Sequence, residues 1–407
     1  MPTIVQINSF DSGSTGKIAI EINKEAEKYG FRTYFLFGRY WKDKHNLPAN
    51  HIKIGNTLDC FFHLIIARLF DAIGLGSIYS TKKLIKFLKQ VNPDIIHLHN
   101  IHGYYINYPL LFKYLSSSNI PVVWTLHDCW TFTGHCSHFD LIGCDKWKTC
   151  CLNCPQKQEY PKSIWLSQSK RNFNLKKSYF TSIKDHLVLV PVSYWLNNLL
   201  DNSFLKDVKK ITIHNGIDIK AFQPTITNHV IEKYGLKNST VLLGVASPWT
   251  ARKGLIDFLK LRDILPERFK IIMVGLSSKQ ISDLPKGIIG IERTQSIKEL
   301  AELYSVSTVF VNTTYEDNYP TVNLEALSCG TPVITYQTGG SPESVCEGTG
   351  YVLKQGDING IINAVSHIEK MDREQLRFKC RERAVQMFDK QECFKEYVNL
   401  YNELLNK

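Results

Sequence analysis

No stretch of this 407-residue sequence approaches the run of about 18 apolar residues that a bilayer span requires. Its start, MPTIVQINSF, lacks the basic segment and apolar run of a signal peptide, so the expectation is a cytoplasmic protein. Low-complexity tracts and short repeats are missing too, which argues against a disordered chain or a solenoid. Acidic residues are outnumbered, 38 against 49 basic. The resulting formal charge of +11 suits a polyanionic ligand, an anionic membrane surface or a phosphorylated substrate, without choosing among them. The eleven cysteines are an odd number and six crowd between Cys129 and Cys154, which speaks for reduced thiols and for a metal rather than a disulfide framework.

What the sequence does contain is a βαβ rhythm. TIVQIN leads into a helical pattern with Ile18, Ile22 and Ala26 on one face and then TYFLFG; DIIHLH, PVVWTLH and LVLVPVS follow. Near HNGID (His214 to Asp218) the rhythm restarts with VLLGVAS, KIIMVG, VFVNTT and PVITY. A chain of this length is expected to form two domains, each with its own parallel sheet covered by helices on both faces. The boundaries are placed at residues 1–205 and 206–387. Open sheets of this kind bind ligands beyond the carboxyl ends of their strands, so two of them are expected to face each other across a cleft that holds the site.

The strand-end loops carry the chemistry. In SFDSGSTGKIAIEI, Gly13 and Gly16 permit a tight turn, and Ser14 or Thr15 can cap a helix beginning near Gly16, whose free amides suit a diphosphate. A plain capped βα turn reads equally well. A P-loop does not, because Asp11 and Ile18 stand where its first glycine and its Ser or Thr belong. His97 and His99 share one face of a strand, His99 nearer its carboxyl end, where an imidazole can donate to a sugar hydroxyl or a phosphate oxygen. His127 and Asp128 end the next strand; the carboxylate can orient the imidazole or accept from an acceptor hydroxyl. Structural histidines at strand ends are equally common.

The third signal is TTYEDNYPTVNLEAL, from Thr313 to Leu327, followed by SCGTPVITYQTGG. An acid on the loop, Glu316 or Asp317, and Glu325 about two turns into the next helix bracket a turn, Asn318-Tyr319-Pro320-Thr321, whose amides can meet phosphate. Glu325 can accept from both hydroxyls of a ribose. With Lys253, after VLLGVASPWTARKG, the segment becomes a candidate diphosphate clamp.

EDNYPTVNLEALSCGTPVITYQTGG, the upstream HNGID and SPWTARKG, and the Gly-rich first loop together resemble glycosyltransferase family 4, of the GT-B fold. The likeness runs over nearly the whole chain in the expected order. It implies two Rossmann-like domains with a last helix, residues 388–407, packing back on the N-terminal, acceptor-side domain. It also implies Glu325 as ribose ligand, Lys253 as diphosphate lysine and an acid beside the donor sugar. Seven residues separate the family's two glutamates, which puts Asp317 at the first position and Glu316 one residue early. Of the two, Glu316 is expected to matter more, because its longer side chain can reach across the offset. The family's arginine is missing at Ser247 and Pro248, and Arg252 is the nearby guanidinium.

The resemblance further implies retention of anomeric configuration without a covalent enzyme intermediate. The donor would be a UDP- or GDP-sugar and the acceptor a glycan or polyprenyl-linked hydroxyl, as in cell-surface polysaccharide synthesis. No Asp-x-Asp occurs, in keeping with a fold that needs no divalent ion on the diphosphate. Competing readings are a non-hydrolysing sugar-nucleotide epimerase on the same fold and a zinc-containing scaffold. No aromatic-basic motif supports nucleic acid as a partner.

Two further segments stand apart. In the loop 129–155, Cys136, Cys144, Cys151 and Cys154 end in a Cys-x-x-Cys knuckle whose spacing suits a structural zinc, with Cys150, His135 and His138 as alternative ligands. Cys60 to Leu88, with FFHLIIARLF and TKKLIKFLKQ, mixes aromatic, aliphatic and basic residues. It can lie on the inner face of an anionic membrane, or form a buried helix with a solvated basic face.

Overall fold

The computed structural model describes residues 1–40, 47–225 and 228–406. The chain forms two compact units: Met1–His214 with Phe394–Lys407, and Asn215–Cys393. Unit 1 is built on strands β1 Thr3–Phe10, β2 Arg32–Arg39, β3 His51–Lys53, β4 Ile95–Leu98, β5 Val122–Leu126, β6 Leu187–Pro191 and β7 Lys209–Lys210. They form one parallel sheet in the order β3-β2-β1-β4-β5-β6-β7. Unit 2 holds β8 Thr240–Val245, β9 Phe269–Val274, β10 Ile288–Ile291, β11 Val309–Asn312, β12 Val333–Tyr336 and β13 Gly350–Leu353, parallel in the order β10-β9-β8-β11-β12-β13.

Each unit therefore has the Rossmann strand order, which reverses once, between β1 and β4 in unit 1 and between β8 and β11 in unit 2. Ligands bind beyond the carboxyl ends of strands at such reversals. The central strands are almost continuous apolar runs because both sheet faces are covered: every residue of β4, β5 and β6 is buried. Trp124, Phe112 and Phe180 pack behind them, with Trp124 and Phe180 edge to face at 4.9 Å.

The helix Lys390–Leu405 brings Tyr397 and Tyr401 into the unit 1 core. The Tyr401 hydroxyl lies 2.6 Å from His97 Nδ1, and His97 Nε2 lies 2.8 Å from Thr125 Oγ1, which itself donates to the Tyr397 hydroxyl. Thr125 thus accepts from His97 Nε2–H, and Nδ1 accepts from Tyr401. His97 is in this way a neutral structural histidine, its pKa lowered to about 3 by burial.

Residues Cys60 to Leu88 resolve into two helices, Thr57–Phe70 and Ile78–Val91. They bury Cys60, His63, Ala67, Leu84 and Leu88, and leave Leu58, Phe61, Phe62 and Tyr79 exposed. No helix among the described residues is long and apolar enough to cross a membrane.

Candidate functional site

In unit 1 the first loop departs from its expected form. The helix starts at Gly13, whose φ of 77° turns the chain sharply after Ser12, a full turn earlier than the capping pattern suggests. Neither Ser14 nor Thr15 caps it. The Thr15 hydroxyl instead accepts from Asn8 Nδ2, and Asn8 Oδ1 accepts the Asn100 amide, so this side chain ties the loop after β1 to the loop after β4. A methyl at Gly16 would come 3.0 Å from the Phe10 carbonyl, so glycine keeps the helix close to the strand end.

Next to this loop, polar side chains form a directed chain. Gln6 Nε2 donates to Asn23 Oδ1 at 2.8 Å, which fixes Gln6 Oε1 as the acceptor for His99 Nε2–H at 2.7 Å. His99 Nδ1 is left to accept from His127 Nε2, 3.1 Å away. Burial lowers the His127 pKa to about 4 and holds that of His99 well below its ordinary value, with the neighbouring histidines adding to the effect on His99. Both rings are neutral at pH 7, and the His127 Nδ1 lone pair remains an acceptor.

Asp128 does not orient His127. Its Oδ2 lies 3.0 Å from His102 Nε2 and its Oδ1 accepts the Trp130 amide, because the loop after β5 turns back at once toward the loop after β4. Burial alone would raise the Asp128 pKa, but the charge and hydrogen bond of His102, with His138 and the Trp130 amide, lower it to about 2. The Tyr160 hydroxyl sits 2.9 Å from His102 Nδ1. His99, Asn100, His102, His127, Asp128 and Thr131 line one hollow beside the β4 and β5 ends. His102 and Tyr160 were not singled out in the sequence; the HNIHG stretch just past His99 is the only signal for His102.

In unit 2, Lys253 ends a short turn, Ala251–Lys253, after β8, and Asp317 lies on the loop after β11. Lys253 Nζ and Asp317 Oδ2 are 2.5 Å apart, each side chain about a quarter exposed, at 23% and 24%. Two glycines permit the approach. A methyl at Gly254 would stand 2.2 Å from the Thr313 carbonyl, and one at Gly339 1.9 Å from the Asp317 carbonyl; both have positive φ. Arg252 does not join the ion pair; its guanidinium donates to the Glu316 carbonyl at 3.3 Å. Glu316 is buried, at 5% exposure.

The helix Thr321–Ser328 follows the loop directly. Pro320 at its N-cap offers no side-chain acceptor, so its first turn is open to an outside one. Asn318, Tyr319 and Pro320 are buried in the turn before it. Glu325 stands one turn into the helix, not two, since the helix begins only at Thr321, after Pro320. Tyr304 donates to Glu325 Oε2 at 3.0 Å. Buried Asp257 accepts from Tyr315 at 2.7 Å and from Tyr336 at 2.9 Å, pinning the acid-bearing loop from beneath. Neither Tyr304 nor Asp257 carries a local sequence signal, because each acts over a long chain separation.

Cys136, Cys144, Cys151 and Cys154 line one cavity formed within the loop 129–155, while Cys150 and His135 are not part of its lining. Among the described residues no group of three or more His, Cys, Asp or Glu side chains stands as a ready metal-binding set.

Comparison with known proteins covers both units. Residues 61–221 match the family model Glycosyltransferase Family 4, and residues 229–387 match Glycosyl transferases group 1. The putative colanic acid biosynthesis glycosyl transferase WcaC of Escherichia coli is 23% identical over 98% of this chain and all of its own length. N-acetyl-alpha-D-glucosaminyl L-malate synthase of Bacillus anthracis is 21% identical over 97% of this chain and 94% of its own. Among solved structures, sucrose-phosphate synthase from Thermosynechococcus elongatus superposes with a TM-score of 0.71 at 16% identity, over the full length of both chains. HepE from Anabaena, in complex with UDP, superposes with a TM-score of 0.68 at 15% identity, over 99% of this chain and all of its own.

Proposed function

Because the chain belongs to glycosyltransferase family 4 and has the GT-B fold, we propose that this glycosyltransferase moves a sugar from a nucleoside diphosphate to an acceptor hydroxyl with retention of configuration. The observation that carries the donor side is the Lys253–Asp317 pair, set on the loop that leads into the helix bearing Glu325. In this reading Glu325, steadied by Tyr304, accepts from the ribose hydroxyls. The open first turn at Thr321 receives phosphate oxygens, and Lys253 stabilises the charge that grows on the departing diphosphate. Asp317 takes the first acidic position; Arg252 serves the backbone of the loop. Positioning and electrostatics do most of the work, and the leaving diphosphate oxygen takes the acceptor proton on the face from which it departs. No divalent ion at the diphosphate is invoked.

On unit 1, the neutral His127 with its open Nδ1 and the ionised Asp128 suit the hydroxyls of a sugar acceptor. The colanic acid relative supports a role in cell-surface polysaccharide assembly, with a glycan or polyprenyl-linked acceptor. Exposed Leu58, Phe61 and Phe62, with Lys82, Lys83, Lys86 and Lys89 on the following helix, support peripheral contact with an anionic cytoplasmic membrane face.

A UDP-sugar is the first donor to test, since HepE was solved with UDP-glucose. UDP is expected to raise the melting temperature of the wild type more than that of Glu325→Gln, whose amide lacks the charge and one of the acceptors. Equal shifts would remove Glu325 from the ribose, and donor turnover without acceptor would favour an epimerase.

A further inference from the structure

We propose that Cys136, Cys144, Cys151 and Cys154 form a tetrathiolate zinc site that shapes the loop delivering Tyr160 to the His102–Asp128 pair. All four side chains line a cavity of about 10 Å³, room for a single small occupant, with Phe139 and Trp147 on its wall. The four thiols share this lining, although without an ion they do not stand as a ready metal-binding set. In a zinc tetrathiolate the metal–sulfur distance is about 2.3 Å and the sulfurs stand about 3.8 Å apart, so the ion replaces thiol protons and draws in neighbouring groups.

One backbone donor already faces a sulfur: the Gly134 amide donates to Cys151 Sγ at 3.1 Å. Zinc binding releases four thiol protons and leaves a centre of charge −2. Buried Lys176 donates to the Trp130 and Thr133 carbonyls at 2.6 and 3.0 Å and lies within electrostatic reach of Cys151 and Cys136. The other candidate ligands lie elsewhere: His135 binds Asp71 through Nδ1 at 2.6 Å, Cys150 points to the Cys151 carbonyl, and His138 is not part of the cavity lining.

Between Cys129 and Tyr160 the chain has only two short 3₁₀ turns, Trp130–Phe132 and Lys146–Lys148. A loop of that length with so little regular structure needs another source of order. Six residues past Cys154, Tyr160 returns to His102, and its carbonyl accepts the Ser137 amide. The ion would therefore set the position of a side chain in the unit 1 hollow without touching a substrate. Tyr160 is a positioned residue, and the metal is outside the reaction.

The test uses full-length protein from zinc-supplemented cells, purified without chelator. Elemental analysis is expected to give about one zinc per chain, and cobalt(II) exchange to give the visible spectrum of a tetrahedral tetrathiolate. Cys136→Ser, Cys144→Ser, Cys151→Ser and Cys154→Ser should each lose the ion, and Cys150→Ser should keep it. Should the serine variants fail to fold, titrating the wild type with a mercurial thiol reagent should release zinc as four thiols react. After metal loss, amide exchange should rise across residues 134–160 while UDP binding persists, which separates this proposal from the donor-site reading. Absence of stoichiometric zinc, a cobalt spectrum with fewer than four sulfurs, or loss of zinc in Cys150→Ser overturns it.

Discussion

An ammonium and a carboxylate held 2.5 Å apart, and three-quarters covered, neutralise one another as long as no stronger anion is near. A diphosphate beside Lys253 competes with Asp317 for that ammonium. Asp317→Asn is therefore expected to leave UDP affinity unchanged or a few-fold tighter, while turnover falls at least roughly tenfold, because the acid no longer orients lysine and donor. Glu316→Gln should act through stability, lowering the melting temperature with little change in UDP affinity, since its side chain is buried in the loop. The burial of Glu316 argues against the longer reach of glutamate, the sequence argument for that residue. Steady-state rates and calorimetric UDP titration on both variants check the pair of expectations; a larger fall in turnover at Glu316 would reverse the assignment. Tyr304→Phe removes one hydrogen bond to Glu325 and should weaken UDP binding by several-fold, about 1 kcal/mol. The acids and Lys253 were visible as letters in a motif. Their partners, Tyr304 at a distance of 21 positions and Asp257 at 58 from Tyr315, were not, because hydrogen bonds of that range are created by the fold.

At the scale of elements, the legible strands were those buried on both faces: TIVQIN, DIIHLH, VFVNTT and PVITY are apolar because nothing but side chains surrounds them. Edge strands escaped. β7 is two lysines paired with Val188 and Leu189, and β3 is His-Ile-Lys; each is defined only by its neighbour's ladder. The helix after β1 was misplaced by a turn because a positive φ at Gly13 does the work expected of a capping side chain. Loop architecture in unit 2 gives the corresponding prediction. Gly339→Ala places a methyl where the Asp317 carbonyl now lies, at a residue with φ of 51°. The acid-bearing loop must shift, and UDP affinity should fall at least roughly tenfold with a modest drop in melting temperature. Unchanged UDP affinity would show that the loop tolerates displacement and that its geometry is not what binds the donor.

For the whole molecule, four neutral histidines in unit 1 set an acid limit. Burial lowers His63 and His127 to about 4 and His97 to about 3, and holds His99 well below its ordinary value. The unfolded chain titrates these groups near 6.5, so it binds more protons than the folded state as pH falls from about 6.5 toward 4. Stability is complete above that window and declines within it, by at most about 1.4 kcal/mol per pH unit for each histidine. Asp128, lowered to about 2, adds its own loss only below the ordinary carboxylate range. Melting curves from pH 8 to 4 should be flat above 7 and fall below 6.5; a flat profile throughout contradicts neutral burial of these rings. One of them, His97, owes its partner to the far end of the chain, since Tyr401 lies 304 residues downstream. During synthesis the ribosome therefore releases all of Asn215–Cys393 before the segment that completes unit 1 exists. Until then His97 and Thr125 lack Tyr401 and Tyr397, and the first-made unit waits longest for its core to close. A message truncated before Phe394 would yield a chain whose earlier strands are all present yet whose oldest domain is unfinished, a substrate for proteases that survey nascent proteins.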